Sequence, residues 1–364
     1  MKLAEIIKYL EEKVPLSYQE SYDNCGLLVG DKDTKITSVL TCLDCTEEVI
    51  QDAIEKKCNL IVSHHPIIFK PLNRLSNSSY VERIIFQAIK NDIAIYALHT
   101  NLDNIINGVS YTFTDRIGLK NVKILKEKNS GLSKLITYVP KKYFIKIQTA
   151  LFSVGAGKIG NKYDQCSFYS DGLGTFRPLE EANPFIGKKN NFSSQKEVKL
   201  EIVFLSYLQK NVVKTLLEAH PYEEVAYEII RLNNSNNIGS GVIGELNEKM
   251  DVQSFFKLLK KVMPYSILKH TKLSNKQIKR VAFCGGSGSF LSNEAILKGA
   301  DIFISSDFKY HDFFSADGKI IIADIGHYET EQFVAEHISR ILKKNFPKLD
   351  VILTKIDTNP ISYY

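Results

Sequence analysis

Residues 36–63, ITSVLTCLDCTEEVIQDAIEKKCNLIVS, carry the reading that decides the fold. ITSVLTCL (36–43) is strand-like, TEEVIQDAIEKK (46–57) is helical with Thr46 as its cap, and NLIVS (59–63) is strand-like again. The alternation continues outward with a helix at VERIIFQAIKN (81–91) and a third strand at IAIYAL (93–98). Strands alternating with helices of this length predict βαβ units around a mainly parallel sheet. Such sheets carry ligands beyond the carboxyl ends of their strands. His64 and His65 follow one such end and His99 follows another.

The C-terminal part has the same style. VAFCGG (281–286), DIFISSD (301–307) and KIIIADIG (319–326) read as strands, 291–299 and 328–343 as helices, and VILTKID (351–357) as a last strand. The middle, from about 127 to 240, differs: Gly-rich turns, many polar residues and strand-like segments such as VKLEIVFL (198–205). NVVKTLLEAHPYEEVAYEIIRL (211–232) predicts a helix, a turn at Pro221 and a strand, and NNSNNIGSG (233–241) an exit linker. The fold class expected is α/β at both ends of the chain, with an α+β module between them.

The chain has 364 residues, 44% hydrophobic and 24% charged, as a globular protein with a substantial core requires. A formal charge of +6 without a basic stripe argues against a nucleic-acid partner. MKLAEIIKYLEEK (1–13) reads as an amphipathic helix, with Leu3, Ile6, Ile7 and Leu10 on one face, not as a signal peptide. No window reaches the roughly 18 uninterrupted apolar residues of a membrane span. The six cysteines show no disulfide framework, so a cytoplasmic location is expected. Cys42 and Cys45 form a C-x-x-C, but no second one completes a four-sulfur site; a strand-end and a helix-start cysteine is the simpler reading.

Four apolar strand ends collect five of the eight histidines: His64 and His65, His99, His311 and His327. In GHYETE, His327 and Glu331 are four apart and share a helix face if the helix starts near Gly326, as a solvated pair or as metal ligands. In HTNLD, Asp103 lies four beyond His99 and reads either as a cap for the following NIINGVSYTF or as a ligand. Carboxylate and imidazole together suit Zn²⁺, Mn²⁺ or Fe²⁺. Combining the motifs gives His64, His65, Asp103, His327 and Glu331. Five ligands exceed the three of one open catalytic zinc and suit two metals sharing a carboxylate and a water. Adjacent histidines can then serve different metals.

YDNCGLLVGD (22–31), SHHPIIF (63–69), HTNLD (99–103), SSDFKYHD (305–312) and DIGHYETE (324–331) resemble the GTP cyclohydrolase 1 type 2 family, also called the NGG-one-interacting-factor-three-like dinuclear metal proteins. The middle is similar to the insert of the family's longer, three-domain bacterial members. GAGKIGNKYDQCSF (155–168) nearly repeats their GAGKIGNYDQCSF, and GLGTFRP (172–178), NPFIG (183–187) and AHPYEEVAY (219–227) fit as well. The resemblance implies a CutA/PII-like insert, a dinuclear site at the five residues above with Glu331 bridging, and a ring-shaped homohexamer. It also implies hydrolytic opening of the guanine ring of GTP with loss of formate, with His311 or Asp307 as the proton carrier; the two also read as a pair that supports the ligands or faces the substrate. Tyr22 and Thr330 depart from the family's Trp and Ser, and neither is expected to touch a proposed ligand. Since ligands lie before and after the insert, 1–126 and 238–364 are expected to form one discontinuous metal-binding domain around 127–237.

Other signals stay outside this scheme. GAGKIG (155–160) matches a dinucleotide fingerprint only formally, because a strand-like segment follows it. GGSGS (285–289) reads either as a phosphate cradle or as a tight strand-to-helix turn. His220 reads as structural, and His270 and His337 belong to no constellation. Two other functions fit two metals equally: phosphoester hydrolysis, and a non-catalytic metal-binding or regulatory assembly.

Overall fold

A computed structural model describes residues 1–128, 131–159, 162–234, 238–265, 267–273 and 277–364. Residues 235–237 of the expected linker and 160–161 of the GAGKIGN run lie outside the described residues. The chain divides into two compact units, Met1–Glu127 with Asn237–Tyr364, and Lys128–Asn236.

The first unit contains two sheets. In the five-stranded sheet the order is Gly26–Val29, Ala94–Ala97, Leu60–Ser63, Ser38–Cys42, Asp350–Leu353. All pairings are parallel except that of the Gly26–Val29 edge. Successive residues of its strands enter opposite layers, as a period of two dictates. Val39, Leu60, Val62 and Tyr96 meet the N-terminal helix Leu3–Lys13 and the helix Val334–Asn345 on one face. Leu40, Ile61 and Ile95 meet helices Glu47–Glu55 and Tyr80–Lys90 on the other. Thr46 caps the first of these, its hydroxyl accepting from Val49 N at 3.3 Å. Burial of Val334, Ile338 and Leu342, all fully enclosed, stabilises the packing by roughly 1.5–3 kcal/mol each.

The second sheet has the order Lys269–His270, Ile321–Asp324, Ile302–Ser306, Ile278–Ser287, Gly239–Met250, Lys120–Glu127. Its three central strands are parallel and its outer ones antiparallel. Helices Val109–Ile117 and Val252–Val262 cover one face, where Phe113 stacks on Phe283 at 3.9 Å. Strand Gly239–Met250 and helix Val252–Val262 are not foreseen from the sequence.

Two boundaries differ from expectation. The last strand ends at Leu353, because its partner stops at Cys42 and the Thr354 hydroxyl turns to Asp52 at 2.7 Å. The helix expected over 328–343 is two: His327–Glu331, then Val334–Asn345. The break separates a short segment carrying polar side chains from a long one packed on the five-stranded sheet. Cys42 and Cys45 are buried free thiols at a strand end and before a helix cap, burial pushing Cys45 up to about 12. Among the described residues no helix is long and apolar enough to cross a membrane.

The second unit runs strand Leu132–Pro140, helix Phe144–Ser153, strands Phe168–Phe176 and Ser193–Leu205, helix Gln209–Ala219, strand Tyr227–Leu232. Its antiparallel sheet is ordered second, third, first, fourth, the split β–α–β arrangement of ferredoxin-like modules. Val198, Leu200, Ile202 and Phe204 alternate inward toward Ile147, Leu151, Val212 and Leu216 of the helices.

Candidate metal centre

Neighbours on a strand point to opposite faces, so two adjacent histidines can face one spot only if the chain leaves the strand. It does. His64 N and His65 N both donate to Leu43 O, at 3.1 and 3.0 Å, and the Ser63 hydroxyl donates to His65 O at 2.8 Å. The turn brings the two imidazole centroids to 4.9 Å.

His64 is fully buried, with Nδ1 2.7 Å from Leu98 O. A carbonyl oxygen only accepts, so the proton sits on Nδ1 and Nε2 carries a bare lone pair. Among the described residues that Nε2 has no hydrogen-bond partner, and neither does the buried Asp103 Oδ1. Nε2 lies 3.7 Å from Asp103 Oδ1 and 3.7 Å from Glu331 Oε1. Burial, then the charge of Glu331, holds the Asp103 carboxyl well above the usual carboxylate range. Asp103 closes the short helix Thr100–Asp103 and does not cap the next helix, whose N-cap is Gly108.

His65 Nδ1 is 2.6 Å from Asp44 Oδ1 and its Nε2 is 3.0 Å from Glu331 Oε2. Burial alone would lower this imidazole, but Asp44 and Glu331 outweigh it and push it up to about 10. His327 repeats the pattern from the other sheet. Its Nδ1 meets Asp307 Oδ2 at 2.6 Å, and its Nε2 meets Glu331 Oε2 at 3.1 Å within one helical turn. Burial is again overcome, by Glu331 and Asp307, and the ring is pushed up to about 11. Burial would raise Glu331, but His327, His64 and His65 draw it well below its ordinary value.

Each of these imidazoles is thus fixed through Nδ1 and offers Nε2 inward, the arrangement that orients metal-ligating histidines. Ligands about 2.0–2.2 Å from a tetrahedral ion stand roughly 3.4 Å apart, and the 3.0–3.7 Å separations around Glu331 bracket that spacing. Two groupings result, His64–Asp103–Glu331 and His65–His327–Glu331, with Glu331 common to both. The orphaned buried Nε2 and Oδ1 are the observation that fits a cation: unpaired buried polar atoms are costly unless an ion satisfies them. The donor set can hold a metal ion.

Several contributors lie outside the sequence-derived set. His99 forms a third grouping with His64 and His65, both ring centroids at 5.3 Å. Its Nδ1 is held by Asp23 Oδ1 at 2.8 Å, and Asp23 also takes the Thr100 amide and hydroxyl. Asp44, between the two cysteines that draw attention in TCLDCTEE, is the partner of His65, and its second oxygen accepts from the Thr358 hydroxyl at 2.8 Å. An acid beside the carboxyl end of a buried strand is the signal that marks it. Asp307, at a left-handed φ of 58° that aspartate tolerates, accepts from the Ser287 hydroxyl and His327. His311 is exposed, its ring beside Tyr310 and Phe314.

Thr330 does touch a proposed ligand, contrary to expectation: its hydroxyl donates to His327 O at 2.7 Å and accepts from Gly286 N at 2.9 Å. Threonine keeps the hydroxyl that a serine would supply. Tyr22 is exposed beside Phe69. The GGSGS glycines are explained by close approach. Gly286 has φ 61°, and a Cβ there would come within 2.5 Å of Glu331 Oε1. The other histidines are structural or superficial: His220 bonds Tyr138 O, His337 bonds Asn107 O, and His270 is exposed.

A family model described as Duf34/NIF3 (NGG1p interacting factor 3) matches residues 1–360. A Staphylococcus epidermidis protein named GTP cyclohydrolase 1 type 2 homolog is 36% identical over 368 residues, covering 100% of both chains. A Staphylococcus aureus protein of the same name is 37% identical over 370 residues, again with 100% of both covered. Among solved structures, a Bacillus cereus protein related to NIF3 superposes with a TM-score of 0.81 at 32% identity, covering 100% of this chain and 99% of that one.

Proposed function

The chain belongs to the Duf34/NIF3 family, and from that premise we propose that it is a dinuclear metal-dependent hydrolase that opens the guanine ring of GTP and releases formate. The observation that carries the two-metal part is the pair of orphaned buried atoms, His64 Nε2 and Asp103 Oδ1, facing a carboxylate shared with His65 and His327. His64 and Asp103 would hold one ion, His65 and His327 the other, and Glu331 both. Bound there, two divalent cations supply an activated water and neutralise developing oxyanion charge. The mixed imidazole and carboxylate set suits Zn, Mn or Fe.

The chain's own residues do the rest. Leu98 O, Asp44 and Asp307 fix the imidazoles before any ligand arrives, so no reorganisation is needed during the reaction. Asp307 is therefore assigned a positioning role. His99, gripped by Asp23 beside His64 and His65 yet outside the five proposed ligands, is the group we assign to carry a proton to or from the substrate. His311 remains a substrate-side candidate. GTP as substrate rests on the names of the relatives. The ring-shaped homohexamer rests on the family resemblance, and a cytoplasmic location on six free thiols.

The test is steady-state GTP turnover and formate release by metal-loaded protein, compared with His65→Ala. The variant is expected to lose turnover together with one ion per chain. Equal rates would remove the cyclohydrolase reading and leave metal binding to be judged by elemental analysis.

A further inference from the structure

The Lys128–Asn236 unit contains a cavity of about 1330 Å³ that the metal chemistry does not use. Its volume exceeds the roughly 300–1,000 Å³ of ordinary small-molecule sites. The sequence runs GLGTFRP, NPFIG and AHPYEEVAY all contribute to its wall. The loop over residues 177–192 is tied down rather than loose. Asn183 N donates to the Glu223 carboxylate at 2.9 Å, Asn190 N donates to Pro178 O at 2.6 Å, and Phe185 packs edge-on against Tyr143 at 5.6 Å.

Four aromatic residues, Tyr138, Phe176, Phe185 and Tyr222, line this space. Tyr222 lies 6.5 Å from Phe176 and 6.3 Å from Phe185. Among them is Glu197, on strand Ser193–Leu205 in register with Gly172. The neighbouring Gly174 has no Cβ because one would collide with the Glu197 carboxylate. Glu197 Oε1 accepts from the Tyr222 hydroxyl at 2.8 Å, while Oε2 has no partner among the described residues. The lining is acidic: Glu180, Glu181, Glu197, Glu223 and Glu224 outnumber Arg177 and Lys199, and Lys199 is paired with Glu201 at 2.7 Å. That balance disfavours nucleotides and other anions.

Aromatic faces around a carboxylate with a free oxygen attract a cation through both ring quadrupole and charge-assisted hydrogen bond. We propose that this cavity is a binding site for an organic ammonium ion, with its charged head against Glu197 and Tyr222 and its apolar body against Phe176, Phe185 and Leu173.

Calorimetric titration of the full chain with 2-phenylethylammonium, alongside its neutral counterpart 2-phenylethanol, tests this. The amine is expected to bind roughly tenfold or more tightly than the alcohol. Glu197→Gln, which keeps an acceptor for Tyr222, is expected to abolish that preference without moving the thermal midpoint. Phe185→Leu, on the loop, is expected to weaken amine binding and serves if the first variant fails to fold. Absence of amine binding, equal affinity for amine and alcohol, or unchanged amine affinity in either folded variant would overturn the proposal.

Discussion

Glu331 in the candidate metal centre and Glu197 in the insert are both carboxylates at the heart of a polar site, and they are held in opposite ways. Glu331 is 3% exposed and its two oxygens face His64, His65 and His327 within 3.7 Å. Each of those rings is fixed from behind by a carbonyl or carboxylate. Glu197 is half-buried, held by one tyrosine hydroxyl, and opens into a large cavity. The contrast is between lone pairs converging on a point, which suits an ion, and one charge set in an aromatic room, which suits a molecule.

The sharpest way to break that contrast is to remove the point of convergence. Glu331→Gln is expected to take metal content from about two ions per chain to nearly none by elemental analysis, a loss beyond the roughly 100-fold seen when a ligand's holder is lost. Retention of both ions would end the shared role of Glu331. Next comes Asp44→Asn, which leaves every ligand in place and weakens the hold on His65 from behind. Affinity in a chelator-competition titration should fall roughly 10–100-fold, about 1.4–2.7 kcal/mol. An unchanged value would mean that the turn at Leu43 suffices to orient the ring.

A third effect expected is that of pH. With no ion bound, His65 and His327 keep their protons up to about 10 and 11. Those protons must leave before Nε2 can ligate, so binding near neutral pH releases them and affinity falls as pH falls, by about tenfold per pH unit for each proton. Calorimetry in buffers of differing ionisation enthalpy counts the protons. None released would mean that the imidazoles already stand neutral.

Much of the first sheet was legible because its signals are local. Thr46 before TEEVIQDAIEKK, and short buried runs such as NLIVS and IAIYAL, declare a cap and strands within a few residues. His64, His65, Asp103, His327 and Glu331 were legible as ligand-type residues at strand ends. Asp44, Asp23 and the contribution of His99 were not, since the contacts that define them span 21 and 76 residues. Strand Gly239–Met250 escaped notice as well. Its outer end, Asn247–Lys249, is exposed, and its partners lie on two distant segments.

The sequence by itself determined which stretches are helix and strand across most of the α/β parts, and which side chains can ligate, because periodicity and residue chemistry are properties of neighbours. Tertiary structure alone decided that Asp350–Leu353 joins the sheet begun by Ser38–Cys42, that adjacent histidines face one spot, and that Glu331 stands among them. Those outcomes depend on which surfaces bury each other across hundreds of residues, and no local pattern encodes that choice.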